Sequence, residues 1–155
     1  MSLLPLKIGA IFAIVQLLIM KKHTPKNNPT LLTIPTDKEV FESPTSIYWF
    51  DDDGILFSIS KWSEPVPIEE GMKVIDEFLD KHGHKKYRMI IDITNSAPSD
   101  KQGREIAAEV FPKITTAMAV LSNTPLGNMM ANLFIGLKPP SYPMKIFSNP
   151  EKKSE

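Results

Sequence analysis

Cysteine is absent from this chain of 155 residues, and its absence excludes several kinds of chemistry. Without thiols there is no disulfide, no thiolate metal ligand and no cysteine nucleophile. Glycine-rich phosphate loops and paired carboxylates at catalytic spacing are also lacking. Histidine is scarce, with only His23, His82 and His84 in the chain. None of them has serine and acidic partners at the spacing of a catalytic triad, and we interpret all three as surface residues. We therefore predict a non-catalytic protein with no cofactor and no metal site.

An excess of either charge is also missing, since 18 basic and 18 acidic residues give a net charge of zero. A chain without a basic excess lacks the electrostatic signature of a general nucleic-acid binder, so we expect no nucleic-acid partner. What the chain does have is 42% hydrophobic residues, enough at this length for one domain with a real core. Its 14 prolines cluster at segment boundaries and mark where elements end.

The N-terminal region contains a long apolar run. Residues 8–20 are apolar except for Gln16, but these 13 residues are fewer than the roughly 20 that a spanning helix needs. Two interpretations stay open: residues 3–20 are a membrane anchor, or Met20 is the true initiator in place of Met1. A cleaved signal peptide is disfavoured, because lysines and no small-x-small site follow the run. An anchor with lysines on its C-terminal side would leave the domain in the cytoplasm, on the inner face of the membrane.

The next segment has the composition of a linker. Residues 21–45 are rich in lysine, asparagine and proline, which predicts a flexible linker that is extended or disordered. Ordered structure is expected to begin near Ser46. The predicted organisation is therefore an apolar segment over residues 1–20, a linker over residues 21–45 and one domain over residues 46–155.

A β-hairpin is predicted at the start of this domain. Residues 47–50 and 55–59 are rich in aromatic and β-branched side chains, and three aspartates followed by Gly54 separate them. A calcium loop would space its carboxylates at alternate positions and would add a distal glutamate, so we interpret the aspartates as a turn. Trp49 and Trp62 are interpreted as core or rim aromatics.

A helix and a buried strand follow the hairpin. Apolar residues recur on one helical face over residues 68–82, with Glu69 and Glu70 near the start and Gly83 as a natural C-cap. Residues 87–94 then form a strand with a continuous apolar centre. Asp92 lies near its end, where open α/β sheets bind ligands, so it is either a ligand-facing carboxylate or a residue that caps or tethers a loop.

The second half of the chain alternates helices and strands. Ser99 and Gln102 have the spacing of a capping box and begin a second helix, and residues 117–121 form the next buried strand. Thr124 and Pro125 then start a third helix that is apolar nearly all round and ends at the prolines after residue 138. Residues 144–147 form a last strand. A final helix, starting near residue 148, has no apolar face, which indicates that the natural chain continues.

The element order β-β-α-β-α-β-α-β-(α) predicts an α/β fold, a mixed sheet with an opening β-hairpin and helices packed on it. This order resembles the STAS (SpoIIAA-like) fold. Over about residues 46 to 155, three segments are similar to an uncharacterised bacterial STAS-like family, namely residues 91–95, 122–127 and 132–147. In anti-sigma factor antagonists of this fold a phosphorylatable serine begins the helix after the aspartate-containing strand. The corresponding residues 95–101 lack that motif here, and Ser99 is the nearest comparable candidate for phosphorylation.

Two hypotheses for function result. The first is a non-catalytic STAS-like regulatory or protein-interaction module that binds an unknown protein partner or associates with itself. The second is a membrane-associated or small apolar ligand-binding protein that uses the helix over residues 125–138 as a lid or interfacial element. Both place the partner or ligand surface on the same apolar side chains of that helix: Leu126, Met129, Met130, Leu133 and Phe134.

Overall fold

The computed structural model describes residues 27–61, 67–96, 105, 108–124 and 140–148, which form a six-stranded mixed sheet with two helices. The predicted mixed α/β architecture is thereby confirmed. The strands are β1 (Phe41–Glu42), β2 (Ser46–Phe50), β3 (Leu56–Ser60), β4 (Tyr87–Asp92), β5 (Thr115–Ser122) and β6 (Met144–Ser148), and the helices are α1 (Ile68–His82) and α2 (Phe111–Ile114).

The strands lie in the sheet in the order in which they occur in the chain. Neighbours among β1, β2 and β3 are antiparallel, whereas β3, β4, β5 and β6 run parallel. Parallel neighbours need a crossover connection, and α1 lies in the connection between β3 and β4. The carboxyl ends of the four parallel strands therefore lie along one edge of the sheet, which we call the carboxyl edge.

The predicted hairpin is confirmed as β2 and β3. In its turn the Asp51 carboxylate accepts hydrogen bonds from the N–H groups of Asp53 at 3.0 Å and Ile55 at 2.8 Å. Gly54 has a φ of 75°, a left-handed conformation that glycine adopts without steric penalty. Within the described residues, no three histidine, aspartate or glutamate side chains are grouped as a metal site would require. Through its two hydrogen bonds to backbone N–H groups, the Asp51 carboxylate shapes the turn.

The helix predicted over residues 68–82 is also confirmed, with both ends as expected. Glu69 and Glu70 lie in the first turn of α1, and Lys81 and His82 lie in the last, so both ends complement the helix dipole. Gly83 ends the helix at a φ of 118°, and its N–H donates to the Leu79 carbonyl at 2.8 Å.

The main core lies between the sheet and α1. Apolar side chains of α1 (Ile75, Phe78 and Leu79) pack against a buried cluster, and each fully buried large apolar side chain contributes about 1.5–3 kcal/mol to folding. Trp49 is buried as well, and its ring stacks on Phe57 at 5.8 Å, so of the two predicted positions, core and rim, it takes the core one. The buried cluster consists of Leu56, Tyr87, Met89, Ile114, Met118, Val120 and Tyr142.

The ordered structure begins earlier than predicted. Residues 28–32 hydrogen-bond to side chains at the carboxyl edge, and β1 pairs with β2, where the Phe41 ring stacks on Tyr48 at 5.3 Å. The expectation that order starts near Ser46 is therefore wrong, and the flexible-linker interpretation is wrong for residues 28–32 and 41–42. Polar and proline-rich composition indicated a linker, whereas hydrogen bonds to distant side chains hold residues 28–32 and pairing with β2 holds residues 41–42.

Strand and helix ends differ from the predictions by a few residues. β4 ends at Asp92 rather than at residue 94, because Thr94 and Asn95 form a turn. β5 is longer at both ends than predicted. Pro112 lies in the first turn of α2, where a helix needs no N–H donor at that position.

Several predictions concern residues outside the described ones: the apolar N-terminal segment, Trp62, Ser99 and the helices predicted over residues 125–138 and after residue 148. The anchor interpretation of residues 3–20 belongs with them. In the part of the chain that the structure describes, no helix combines the length and the apolar character needed to cross a bilayer.

Candidate functional site

Buried polar side chains lie at the carboxyl edge, where β4 and β5 end. Asp92 closes β4 and Ser122 closes β5, and both are fully buried, while Thr94 in the next turn is buried as well. The two strands stay joined past Asp92, because the Ile93 N–H donates to the Leu121 carbonyl at 2.8 Å. The Thr94 hydroxyl then accepts a hydrogen bond from the Asn123 N–H at 3.0 Å. The turns after the two strands are thus fixed relative to each other.

The Asp92 carboxylate binds backbone N–H groups of a distant segment. One carboxylate oxygen accepts hydrogen bonds from the N–H groups of Leu31 at 2.5 Å and Leu32 at 2.9 Å. The other oxygen accepts a hydrogen bond from the Thr94 N–H at 3.0 Å. A buried carboxylate must be satisfied by donors, and bonds to a charged acceptor are stronger than neutral ones. Asp92 therefore tethers residues 28–32, which we call the strap, to the sheet.

Two asparagine side chains hold the other end of the strap. The Asn95 side chain donates to the Asn28 carbonyl at 2.9 Å and accepts from the Asn28 N–H at 2.8 Å. The Asn123 side chain donates to the Pro29 carbonyl at 2.9 Å. Asn95 thus makes the paired bonds that a neighbouring β-strand would make to Asn28.

The bonds from the edge to the strap share one feature, which is that they involve only backbone groups of the strap. The edge binds N–H groups of residues 28, 31 and 32 and carbonyl groups of residues 28 and 29. Within the strap, the Thr30 hydroxyl donates to the Leu32 carbonyl at 2.7 Å. The Leu31 side chain is 36% exposed. These bonds therefore hold the strap through its backbone and not through its side chains.

The structure places the predicted site residues in two groups. Asp92 lies at the predicted strand end, and the tethering role considered for it describes its hydrogen bonds, whereas the ligand-facing role stays a prediction. Ser99 and the apolar set Leu126, Met129, Met130, Leu133 and Phe134 lie outside the described residues, and their roles stay predictions.

Asn95, Asn123 and Asn28 belong to the candidate site but are not among the residues that the sequence predicts for it. The signal for the first two was the position of an amide side chain shortly after each of two buried strands, since strand ends of a parallel sheet meet at one edge. Asn28 carried no such signal, because its contribution is made by backbone groups and depends on contact with residues 67 positions away.

A second cluster surrounds His82 at the end of α1. The His82 Nε2 atom lies 2.9 Å from the Tyr48 hydroxyl, and its ring contacts Phe41 at 4.6 Å and Phe50 and Phe78 at 4.9 Å between centroids. The interpretation of His82 as a surface residue is therefore wrong, because the face of α1 on which it lies places its ring among these aromatic rings.

The surroundings of His82 also change its acidity. Burial lowers the pKa of His82, the charge of Lys81 lowers it further, and Glu39 opposes both effects. His84, one turn beyond Asp80, is exposed and lies 2.7 Å from that carboxylate, as a surface histidine would. His23 lies outside the described residues.

Comparison with known proteins identifies a family. The family model described as Domain of unknown function (DUF7793) matches residues 48–155, more than two thirds of the chain, and the chain belongs to this family. No curated protein and no solved structure matches the sequence or the fold. The matched region contains Asp92, Asn95 and Asn123 but begins after the strap.

Proposed function

We propose that this member of the DUF7793 family is a non-catalytic, STAS-like regulatory or protein-interaction module whose carboxyl edge binds a polypeptide segment through its backbone. The observation that carries the proposal is the set of backbone hydrogen bonds from Asp92, Asn95 and Asn123 to the strap. Side chains placed to bind N–H and C=O groups suit a peptide-binding surface, because hydrogen bonds to the peptide's main chain contribute affinity in peptide recognition.

The bonding of Asp92 supports binding rather than catalysis. Three N–H donors occupy its two oxygens, and the side chain is fully buried. A general base must reach the proton that it removes, and an oxygen already engaged by backbone donors competes poorly for that proton. In this geometry the Asp92 carboxylate accepts hydrogen bonds from backbone N–H groups.

The proposal is tested by adding the strap as a separate peptide. In the intact chain the tethered strap competes at an effective concentration on the order of millimolar, so a free peptide binds weakly. Leu31→Pro removes one N–H donor to Asp92 and weakens the internal contact, whereas Leu31→Ala keeps that donor. We expect a fluorescent peptide of residues 27–34 to bind full-length Leu31→Pro more tightly than the wild type or Leu31→Ala.

A receptor variant provides the second arm of this test. Adding Asn123→Ala to Leu31→Pro removes the donor to the Pro29 carbonyl and is expected to weaken peptide binding. Equal anisotropy changes for all four proteins would contradict the proposal. The alternative hypothesis, a lipid or apolar ligand site on residues 125–138, concerns residues outside the described ones and stays a prediction, as does phosphorylation of Ser99.

A further inference from the structure

We propose that the carboxyl edge recognises a five-residue segment of a partner protein through its pattern of backbone donors and acceptors, with proline accepted at the second position. In the structure the strap occupies this site as the chain's own segment. The inference rests on the proposed function and deepens it, because it specifies the partner.

The hydrogen bonds define the required pattern position by position. The first position, Asn28 in the strap, presents both its N–H and its carbonyl to Asn95. The second position, Pro29, presents only its carbonyl, to Asn123. The fourth and fifth positions, Leu31 and Leu32, present their N–H groups to Asp92. None of these bonds uses a backbone group of the third position.

This pattern explains why proline fits at the second position. Proline has no N–H, and the edge binds only the carbonyl there, so no bond is lost. Its ring also holds the backbone near −65° in φ and favours an extended conformation at the residue before it, which lowers the entropy lost on binding. At the first, fourth and fifth positions proline would remove a donor that the edge uses. The site therefore selects segments that have proline at position two and no proline at positions one, four and five.

The donors to Asp92 make the strap and a partner segment competitors for one site. A released strap takes away two of the three N–H donors to the Asp92 carboxylate. A partner segment with the same pattern restores both donors. The strap and the partner segment are thus expected to exclude each other.

The test uses full-length Leu31→Pro and chemically altered peptides of residues 27–34. N-methylation at position four or five removes one donor to Asp92 and is expected to weaken binding by about tenfold or more. N-methylation at position three is the matched control, because none of the bonds described uses that N–H. Replacing both leucine side chains by alanine keeps the donors, and we expect a change of about threefold or less.

Substitutions at positions one and two of the peptide test the rest of the pattern. Proline at position one is expected to weaken binding by about tenfold, and alanine in place of the proline at position two by a few-fold, through lost preorganisation. The inference would be overturned if all three N-methylations weakened peptide binding equally. It would also be overturned if the alanine replacements weakened binding more than N-methylation at position four or five. If Leu31→Pro fails to fold, Leu32→Pro, which removes the other donor to the same carboxylate, replaces it.

The outcomes separate this inference from the proposed function. Peptide binding that ignores the donor pattern overturns the inference and leaves the proposed function standing, whereas absence of peptide binding to both proline variants overturns both. A concentration-dependent dimer of Leu31→Ala or of the wild type that disappears in Leu31→Pro would show a second copy's strap at the edge. Sedimentation velocity detects this dimer, which would replace the partner protein as the occupant.

Discussion

The Asp92 carboxylate and the Leu32 N–H are joined by a hydrogen bond of 2.9 Å although 60 residues separate them in the chain. Asp92 ends a central parallel strand, and Leu32 lies outside the region that the family match covers. The bond therefore connects the sheet of the family domain to a segment that precedes it. The hydrogen bonds at the carboxyl edge also predict how substitutions there change stability and the binding of the strap.

Loss of the Asp92 carboxylate should destabilise the fold. Asp92→Ala leaves the N–H groups of Leu31, Leu32 and Thr94 without their acceptor, and we expect the free energy of unfolding to fall by about 1–3 kcal/mol. Asp92→Asn keeps one oxygen acceptor and should be less damaging. Urea unfolding of the three proteins measures the effect. Asp53→Asn, at the exposed hairpin turn, is the control and should change stability by less than about 0.5 kcal/mol; a similar small change for Asp92→Ala would contradict the tethering role.

Replacing the Asn95 amide should release the strap while leaving the core intact. In Asn95→Asp a carboxylate oxygen replaces the amide that donates to the Asn28 carbonyl, so two oxygens face each other. We expect faster hydrogen exchange of the amides of Leu31 and Leu32, with little change in β4 and β5. Asn27→Asp adds the same charge next to Asn28 without removing the bond, and it should leave those amides protected. Unchanged exchange in Asn95→Asp would show that Asn95 does not hold the strap.

His82 should make stability depend on pH. Its pKa in the folded protein is lowered from the ordinary value of 6.5, so the unfolded state binds more protons and stability decreases as pH falls through about 6.5. His82→Phe removes this titration and should flatten the decrease between about pH 7.5 and 5.5. Urea unfolding at each pH measures it.

The control for this pH dependence is His84→Asn, which changes an exposed histidine and should retain the wild-type slope. His23 is present in all three proteins and contributes equally to each. If His82→Phe and the wild type lost stability in parallel as the pH fell, the lowered pKa of His82 would not govern the dependence.

Gly83 should tolerate a side chain poorly. At a φ of 118° and a ψ of 138° its backbone is in a region open almost only to glycine, so backbone strain is the cause, and an added Cβ would make only an ordinary contact with the Tyr87 hydroxyl at 3.5 Å. We expect Gly83→Ala to reduce the free energy of unfolding by about 1–3 kcal/mol. Gly54→Asn is the comparison, because asparagine accepts the left-handed conformation at a φ of 75° and an added Cβ meets no atom within 4 Å. Thermal unfolding should rank Gly83→Ala below Gly54→Asn.

Local patterns in the sequence predicted much of the fold. The hairpin follows from two β-branched and aromatic runs around an aspartate-glycine turn, and α1 follows from its apolar spacing and from Gly83. These signals are local, because turn geometry and helix periodicity involve residues close in sequence. Asp92 could be selected as a site candidate for the same reason, since it ends a recognisable strand.

Only the tertiary structure brings the strap to the carboxyl edge and the aromatic rings around His82. Nothing in the composition of residues 28–32 indicates that Asp92, Asn95 and Asn123 bind its backbone, because every chain segment has N–H and C=O groups and only the fold determines which of them meet. Likewise, a histidine at a helix end is exposed or half-buried according to what packs beside it, here Phe41 and Tyr48 from strands that the helix meets in three dimensions. The sequence by itself determined the elements and their order, through local sterics and periodicity. Contacts between distant residues decided which polar groups form the candidate site.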